Sequence, residues 1–231
     1  KAYQIPEAGR NARGTAVVNL LMLQPEEKIS AIIPLQEFEE GKYLFMATKY
    51  GTVKKTPLMA FSNVRKSGIT AIILREGDEL IEVKHTDGDR NILMATAEGL
   101  CIRFHERDVR SMGRASTGVR GMTLKEGDYI IGMQLDSQGE YALIVTENGQ
   151  GKRTKIENFT PHHRGGKGMI CYKLTEKTGK LVGFKSVDEE NDVLLVTTAG
   201  VIIRTSVSGI SVQGRSSSGV KIMNLDEGVS V

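Results

Sequence analysis

The sequence predicts an all-β fold of propeller-like blades, and two repeats written in one register lead to it. The first is a hairpin. LFMATKYGTVKKT, ILMATAEGLCIRF, ALIVTENGQGKRT and LLVTTAGVIIRT follow one another with turn glycines at Gly51, Gly99, Gly149 and Gly200, spaced 48, 50 and 51 residues apart. The second is a loop built around Gly14, Gly68, Gly118, Gly168 and Gly219, spaced 54, 50, 50 and 51 apart. A fixed period of this length marks an array of like units that bury their faces only against each other. Four strands in about fifty residues is the size of a propeller blade.

Each hairpin opens on a short apolar run: Leu44–Thr48, Ile92–Thr96, Leu143–Thr146 and Leu194–Thr198. Such runs suit strands buried on both faces. Thr48, Thr96, Thr146 and Thr197 stand three residues before the turn glycines, and Asn148-Gly149 is the strongest hairpin dipeptide of the set. The return strands carry Lys55, Arg103, Arg153 and Arg204, four residues after the glycine. In the loop motif, Arg10, Arg114, Arg164 and Arg215 stand four residues before their glycine and Arg65 stands three before. Six residues after each glycine comes Leu20, Leu74, Leu124, Leu174 or Leu225, with Val18, Ile72, Met122, Tyr172 or Met223 two places earlier. That step of two predicts a strand with one buried face. A further strand is expected after each acidic turn: Ile29–Ile33, Leu80–Lys84, Tyr129–Gln134 and Leu181–Ser186. Long helical patterns are absent, and only Pro57–Phe61 and Ile156–Phe159 read as helical turns.

The continuous period makes residues 1–231 one domain, with 26 glycines and five prolines suited to many tight turns. No run of eighteen apolar residues is present, so no membrane span or membrane partner is expected. The opening KAYQIPEAGR has neither an apolar signal region nor an initiator methionine, which predicts a piece of a longer protein. Cys101 and Cys171 lie in apolar strand patterns and read as buried free thiols of a reducing compartment, the alternative being a disulfide between them.

The net charge of +3 says little, but its distribution says more. Arg110–Gly121 holds three arginines and no acid, and Gly149–Lys155 and Thr160–Lys173 are likewise basic without acids. Acids collect instead after the repeated leucine, at Glu26-Glu27, Glu76-Gly77-Asp78, Glu126-Gly127-Asp128 and Asp226-Glu227. In a radial fold, equivalent positions occupy equivalent places, so a basic stripe and a separate acidic surface are expected. A basic stripe of arginines, which bind phosphate bidentately, fits the backbone of duplex DNA. Each neutralised phosphate adds to affinity by counterion release, which offsets the cost of bending a duplex. No recognition helix is evident and aromatics make up 5%, so base reading is not expected.

The candidate DNA-contacting set is Arg10, Arg13, Arg65, Lys66, Arg114, Arg120, Arg164, Gly165, Gly166, Lys167, Gly168, Arg215 and Lys221. Lys55, Arg103, Arg153 and Arg204 form a second tier, which could equally be solvated strand ends or salt-bridge partners of acidic turns. No catalytic or metal-binding residue is expected. His162 and His163 lack a CxxC or HExxH partner, and Gly165-Gly166-Lys167-Gly168 lacks the spacing of a phosphate-binding loop before a helix.

Ordinary propeller signatures fail, since the chain has no tryptophan. Its residues resemble the C-terminal domain of the DNA gyrase A protein along the whole chain. The resemblance rests on YQIPEA at Tyr3–Ala8, the five glycine–basic loops, the T-x-x-G hairpins with Lys54-Lys55 and Lys152-Arg153, and above all Arg164-Gly165-Gly166-Lys167-Gly168. That run looks like the family's Gln-Arg-Arg-Gly-Gly-Lys-Gly box, with His162 and His163 where the box has Gln and the first Arg. The resemblance implies that the family's complete box lies in the first blade, so the run at Arg164 is expected to be a later, degenerate copy. It further implies a β-pinwheel of about five to six four-stranded blades that exchange strands and bind DNA around the rim. The partners implied are double-stranded DNA, the gyrase B protein and the rest of the gyrase A protein in an A2B2 enzyme of the cytoplasm and nucleoid. That enzyme would be an ATP-dependent type IIA topoisomerase, with ATP and Mg2+ used outside this piece and no cofactor within it. Two other readings stand beside this one: the topoisomerase IV counterpart, which steers DNA without strong wrapping, and a protein-binding propeller scaffold.

Overall fold

A computed structural model of the chain describes residues 5–21, 23, 27–65 and 67–231. Lys66 of the candidate set, Glu26 of the first acidic turn and Tyr3 of the opening motif lie outside them. The strands in chain order are β1 (Tyr43–Thr48), β2 (Thr52–Pro57), β3 (Leu80–Thr86), β4 (Asn91–Thr96), β5 (Leu100–His105), β6 (Val119–Arg120) and β7 (Ile130–Leu135). There follow β8 (Tyr141–Thr146), β9 (Gln150–Lys155), β10 (Met169–Ile170), β11 (Leu181–Val187), β12 (Asp192–Val196), β13 (Ile202–Ser206) and β14 (Val220–Lys221). The chain is all-β, its only helical pieces among the described residues being turns of three or four residues.

The hairpins form because their turns are closed locally. Gly51, Gly99, Gly149 and Gly200 adopt φ between 72° and 80°, the left-handed region that glycine enters without cost. Each repeated threonine then closes its turn: the Thr48, Thr96, Thr146 and Thr197 Oγ1 atoms accept from the N–H of Thr52, Leu100, Gln150 and Val201 at 3.1–3.3 Å.

Three four-stranded antiparallel sheets result, ordered β3-β1-β2-β6, β10-β5-β4-β7 and β11-β8-β9-β14, and β12-β13 form a two-stranded fourth. Of the five to six blades expected, the described residues thus close three and supply the hairpin of another. Each closed blade borrows its outer strand from the following repeat. Thr52 of the first blade pairs with Arg120, Leu100 of the second with Ile170, and Gln150 of the third with Lys221. The borrowed chain crosses the hairpin tip: Gly51 O accepts from the N–H groups of Gly121 and Met122, Gly99 O from Cys171 and Tyr172, and Gly149 O from Ile222 and Met223. The borrowed strands are only two residues long, shorter than the alternation suggested.

Blade faces bury against one another, as the period requires. In β4, Ile92 and Met94 enter the core shared with Phe45 and Ala47 of the first blade. Leu93 and Ala95, on the other face, enter the core shared with Ala142 and Ile144 of the third. Tyr141, Leu143 and Val145 then meet Leu195, Val207 and Ile210 of the fourth. Each fully buried large side chain contributes about 1.5–3 kcal/mol. Among the described residues β12 has a neighbouring blade on one face only, and its Leu194 is 65% exposed while Leu195 is buried.

The expected strand Ile29–Ile33 does not form, and Ile32 is 84% exposed. In the other blades this segment pairs with the hairpin just before it, and the described residues before Ile29 form no such hairpin. An unpaired strand has no source of stability. Among the described residues four further turns of the same helical kind occur, at Val17–Asn19 and after β5, β7 and β13. The two cysteines are buried free thiols of one core.

Candidate nucleic-acid interface

β3, β7 and β11 contact each other and form the inner edge of the blades, which puts β6, β10 and β14 at the outer edge. The arginine–glycine loops run along that outer edge and are joined end to end. Arg114 Nη1 donates to Thr70 O at 3.0 Å, Arg164 Nη1 to Arg120 O at 3.0 Å and Arg215 Nη1 to Ile170 O at 2.9 Å, so each arginine reaches the strand segment of the loop before its own. Amides run the other way: Ile73 N–H donates to Ser116 O, Thr123 to Gly166 O and Lys173 to Ser217 O at 2.9–3.1 Å. The result is a belt with a cation at each joint. Arg164 also donates from Nε to Asp108 O at 2.8 Å.

The loop glycines serve the crossing. At Gly118, Gly168 and Gly219 φ is 109°, 77° and 69°, and an added Cβ would stand 2.5–2.6 Å from the carbonyl oxygens of Val53, Cys101 and Gly151. Positive φ and close approach to the neighbouring blade's backbone together explain these glycines.

Arg10, Arg13, Arg65, Arg120, Lys167 and Lys221 are exposed, and Arg114, Arg164 and Arg215 are half-buried with their guanidinium groups at the belt. None of these nine forms an ion pair with a carboxylate among the described residues. Gly166 and Gly168 are exposed beside Lys167, and Gly165, at φ 82°, donates its N–H to Gly121 O. Arg10 and Arg13 lie in a stretch without strands and do not join the belt's hydrogen bonds. Exposed Lys125 and Lys173 stand on the same loops but were not in the candidate set, although Lys173 closes the basic stretch Thr160–Lys173.

The second tier divides. Lys55, Arg103 and Arg153 do not reach the surface stripe assigned to them; they fasten each blade to the next. Lys55 Nζ donates to Glu106 O at 2.8 Å. Arg103 Nη1 donates to Ile156 O and Phe159 O at 3.2 Å, and its Nη2 pairs with Asp136 Oδ2 at 2.9 Å. Arg153 Nε donates to Ile210 O at 2.7 Å, Nη2 to Ser208 O at 3.2 Å and Nη1 to Glu189 Oε1 at 2.9 Å, with the guanidinium 4.8 Å from the Tyr141 ring centre. All the carbonyls belong to the turn after the next hairpin. A buried guanidinium needs such partners, and five N–H donors suit a turn full of carbonyls. Arg204, in the last hairpin of the described residues, is 74% exposed and paired with Asp192.

The lysines before them, which the sequence showed only as part of the hairpin motif, have another task. Lys54 and Lys152 are completely buried. Lys54 Nζ donates to Ala71 O at 2.6 Å and to Arg114 O, and Lys152 Nζ donates to Gly214 O and Arg215 O at 2.7 Å and to Ser217 O at 3.0 Å. Burial pushes both ammonium groups down to about 8.

The acidic turns sit at the hairpin tips, which the belt chain also crosses. Asp78 Oδ1 accepts from Tyr50 N–H at 2.9 Å and Asp128 Oδ1 from Glu98 N–H at 3.1 Å, so these two acids close turns while Glu76 and Glu126 stay exposed. At the inner edge, Glu82 joins three blades: it accepts from Met133 N–H, pairs with Lys84 at 2.9 Å and with Lys185 at 3.2 Å. Among the described residues no cluster of three or more His, Cys, Asp or Glu could hold a metal, and no helix is long and apolar enough to cross a membrane.

The family model for the DNA gyrase C-terminal domain, a β-propeller, matches residues 1–36, 42–87, 90–135, 140–188 and 191–231. The chain belongs to the DNA gyrase C-terminal domain family. It is similar to the DNA gyrase A protein of Escherichia coli, with 45% identity over 231 residues, and to that of Clostridium acetobutylicum, with 51% identity over 231 residues. The chain spans about a quarter of the length of these curated relatives, 26% and 28%. A solved C-terminal domain of DNA topoisomerase IV aligns over 96% of this chain and 70% of its own, with TM-score 0.89 and 29% identity. A solved gyrase A C-terminal domain aligns over 95% and 73%, with TM-score 0.84 and 29% identity. The four-stranded, strand-exchanged blades are those of the family's β-pinwheel.

Proposed function

We propose that this chain is a non-catalytic DNA-binding domain that bends duplex DNA around its outer edge, as part of a gyrase A protein. The observation that carries the reading is the belt: consecutive loops joined edge to edge, with a cation at every joint and no carboxylate paired to it among the described residues. A curved row of cations suits a bent phosphate backbone, and its grip depends on counterion release rather than on base identity. The contacts proposed are Arg65, Arg114, Arg120, Arg164, Lys167, Arg215 and Lys221, with Arg10 and Arg13 as flanking contacts and Gly165, Gly166 and Gly168 shaping the loop. Lys55, Arg103 and Arg153 leave the set because their donors are taken up between blades. In the whole protein, the rest of gyrase A together with the gyrase B protein would complete an A2B2 cytoplasmic topoisomerase acting on the nucleoid. ATP and Mg2+ would be used there and not by this domain.

Steering without strong wrapping, as proposed for a topoisomerase IV counterpart, is the second reading, because that domain's fold is matched as closely as gyrase's. One experiment separates them. The protein is incubated with relaxed plasmid and a relaxing topoisomerase, and the linking number is read after the protein is stripped. A dose-dependent shift toward positive writhe is expected. Binding without a shift favours steering, and no binding at low salt removes the DNA reading and leaves a protein-binding scaffold.

A further inference from the structure

The belt is not held the same way in every blade. At the third position after the turn glycine, the four hairpins carry Lys54, Ile102, Lys152 and Ile203. In the first and third blades this residue reaches under the borrowed strand and donates to the main-chain oxygen of the belt arginine itself, Arg114 or Arg215. Lys152 also takes the carbonyls on either side of Arg215 and Ser217 Oγ at 3.2 Å, and lies 4.9 Å from the Tyr172 ring centre. In the second blade, Ile102 lies below the loop of Arg164 and Lys167, its Cδ1 3.6 Å from where a Cβ on Gly166 would sit. No ammonium holds that loop.

Resting on the DNA-binding reading above, we propose that Lys54 and Lys152 are positioning residues of the DNA belt: buried ammonium groups that fix the Arg114 and Arg215 loops, a task that hydrogen bonds from Thr123 Oγ1 to Gly165 O and from Arg164 Nε to Asp108 O perform for the Arg164–Gly168 loop. They do not contact DNA, being completely buried. A fully buried cation is costly unless all its donors are used, and an apolar residue at the same place is accepted by this fold in Ile102. The lysine therefore serves something other than packing. Its three tetrahedral donors can gather several carbonyls of one loop, which isoleucine cannot.

The charge is also poised to respond to pH. Burial is the main cause of the low value for both lysines. The Arg114 cation adds to it at Lys54, and Arg215 adds to it at Lys152, where the Cys171 thiol acts in the opposite sense. DNA phosphate brought to Arg114 and Arg215 favours the protonated lysine beneath them. Affinity should then fall as pH rises past about 8, at constant salt.

The test compares the wild-type chain with Lys54→Ile/Lys152→Ile, which copies Ile102 into both blades, and with Ile102→Lys. Without DNA, amide hydrogen exchange in 113–118 and 214–219 should quicken in the double variant, with 163–168 unchanged. Ile102→Lys should slow exchange in 163–168. A lysine that merely touched DNA would change none of this. With DNA, the double variant should bind about tenfold more weakly, the scale of one lost charge-assisted hydrogen bond. Its affinity should no longer fall between about pH 7.5 and 9, a range set around the depressed lysine value and below the ordinary one of about 10.4. Should the double variant fail to fold, the wild-type pH profile and Ile102→Lys still decide. Unchanged loop exchange in Ile102→Lys together with a flat wild-type profile overturns the proposal. Wild-type protein that binds no DNA at low salt overturns the DNA reading instead, and the exchange experiment then tests the loop-fixing role by itself.

Discussion

Arg153 separates a staple from a DNA contact. Replacing it with methionine keeps the apolar stem and removes the guanidinium. The Ile210 carbonyl is then left buried without its 2.7 Å donor, a loss of about 1–3 kcal/mol. The Ser208 carbonyl belongs to an exposed residue and recovers water, so its bond adds about 0.5–1.5 kcal/mol. The contact with the Tyr141 ring adds about 0.5–1 kcal/mol. Glu189 is 53% exposed and contributes little. The sum is about 2–5 kcal/mol, large for a single substitution. Arg204→Met is the matched control, because the same repeat position is 74% exposed there and should lose at most about 1 kcal/mol. Urea unfolding at neutral pH, followed by circular dichroism, measures both. The salt dependence of DNA binding by the folded Arg153→Met protein should match wild type. If instead the slope fell by about 0.9 with stability unchanged, Arg153 would be a phosphate ligand and the staple reading would be refuted.

Further outcomes follow from the same geometry. Gly168→Ala should destabilise by more than about 1–3 kcal/mol, since φ is 77° and the new Cβ meets Cys101 O at 2.6 Å, whereas Gly14→Ala, in open space, should stay within about 0.5 kcal/mol in thermal unfolding. Arg164→Ala with Lys167→Ala should flatten the salt slope by about 1–2 for all DNA sequences alike, and an unchanged slope removes that loop from the DNA track. Lys54 and Lys152 bind fewer protons folded than unfolded between about 8 and 10.5, so stability should be lower at neutral pH and rise through that window by about 3 kcal/mol per lysine, from about 2.5 pH units at about 1.36 kcal/mol each. Alkaline urea titrations of wild type and Lys54→Ile/Lys152→Ile would show it, a rise of equal size in both removing the assignment. Glu82 is held below the ordinary carboxyl range: burial opposes this, and the Met133 N–H and the cations of Lys84 and Lys185 outweigh it. Its contribution is full above the ordinary value of 4.5 and lost as pH falls through the lower folded one, so Glu82→Gln should flatten acid unfolding in that range.

What the sequence by itself determined is local. The period, the four hairpins and the five loops were legible because each turn is specified within a few residues. Thr48 Oγ1 accepts from Thr52, four positions away, and Gly51 supplies the positive φ between them. The exposed cations of the belt were legible for a related reason: in-phase arginines without neighbouring acids have few uses inside a β core. The unpaired segment 29–33 follows its acidic turn as β3 follows Asp78, and that place in the repeat does not reveal whether a partner strand is at hand. Only the tertiary structure decided the rest. Thr52 pairs with Arg120, 68 residues on, and nothing near either residue encodes that exchange. The same exchange places Arg153 under the next blade's turn and leaves its repeat-mate Arg204 in solvent. It also sets Lys152 beneath Arg215. A basic side chain has one identity in sequence, but whether it meets carbonyls, carboxylates or water depends on which remote segment is packed over it.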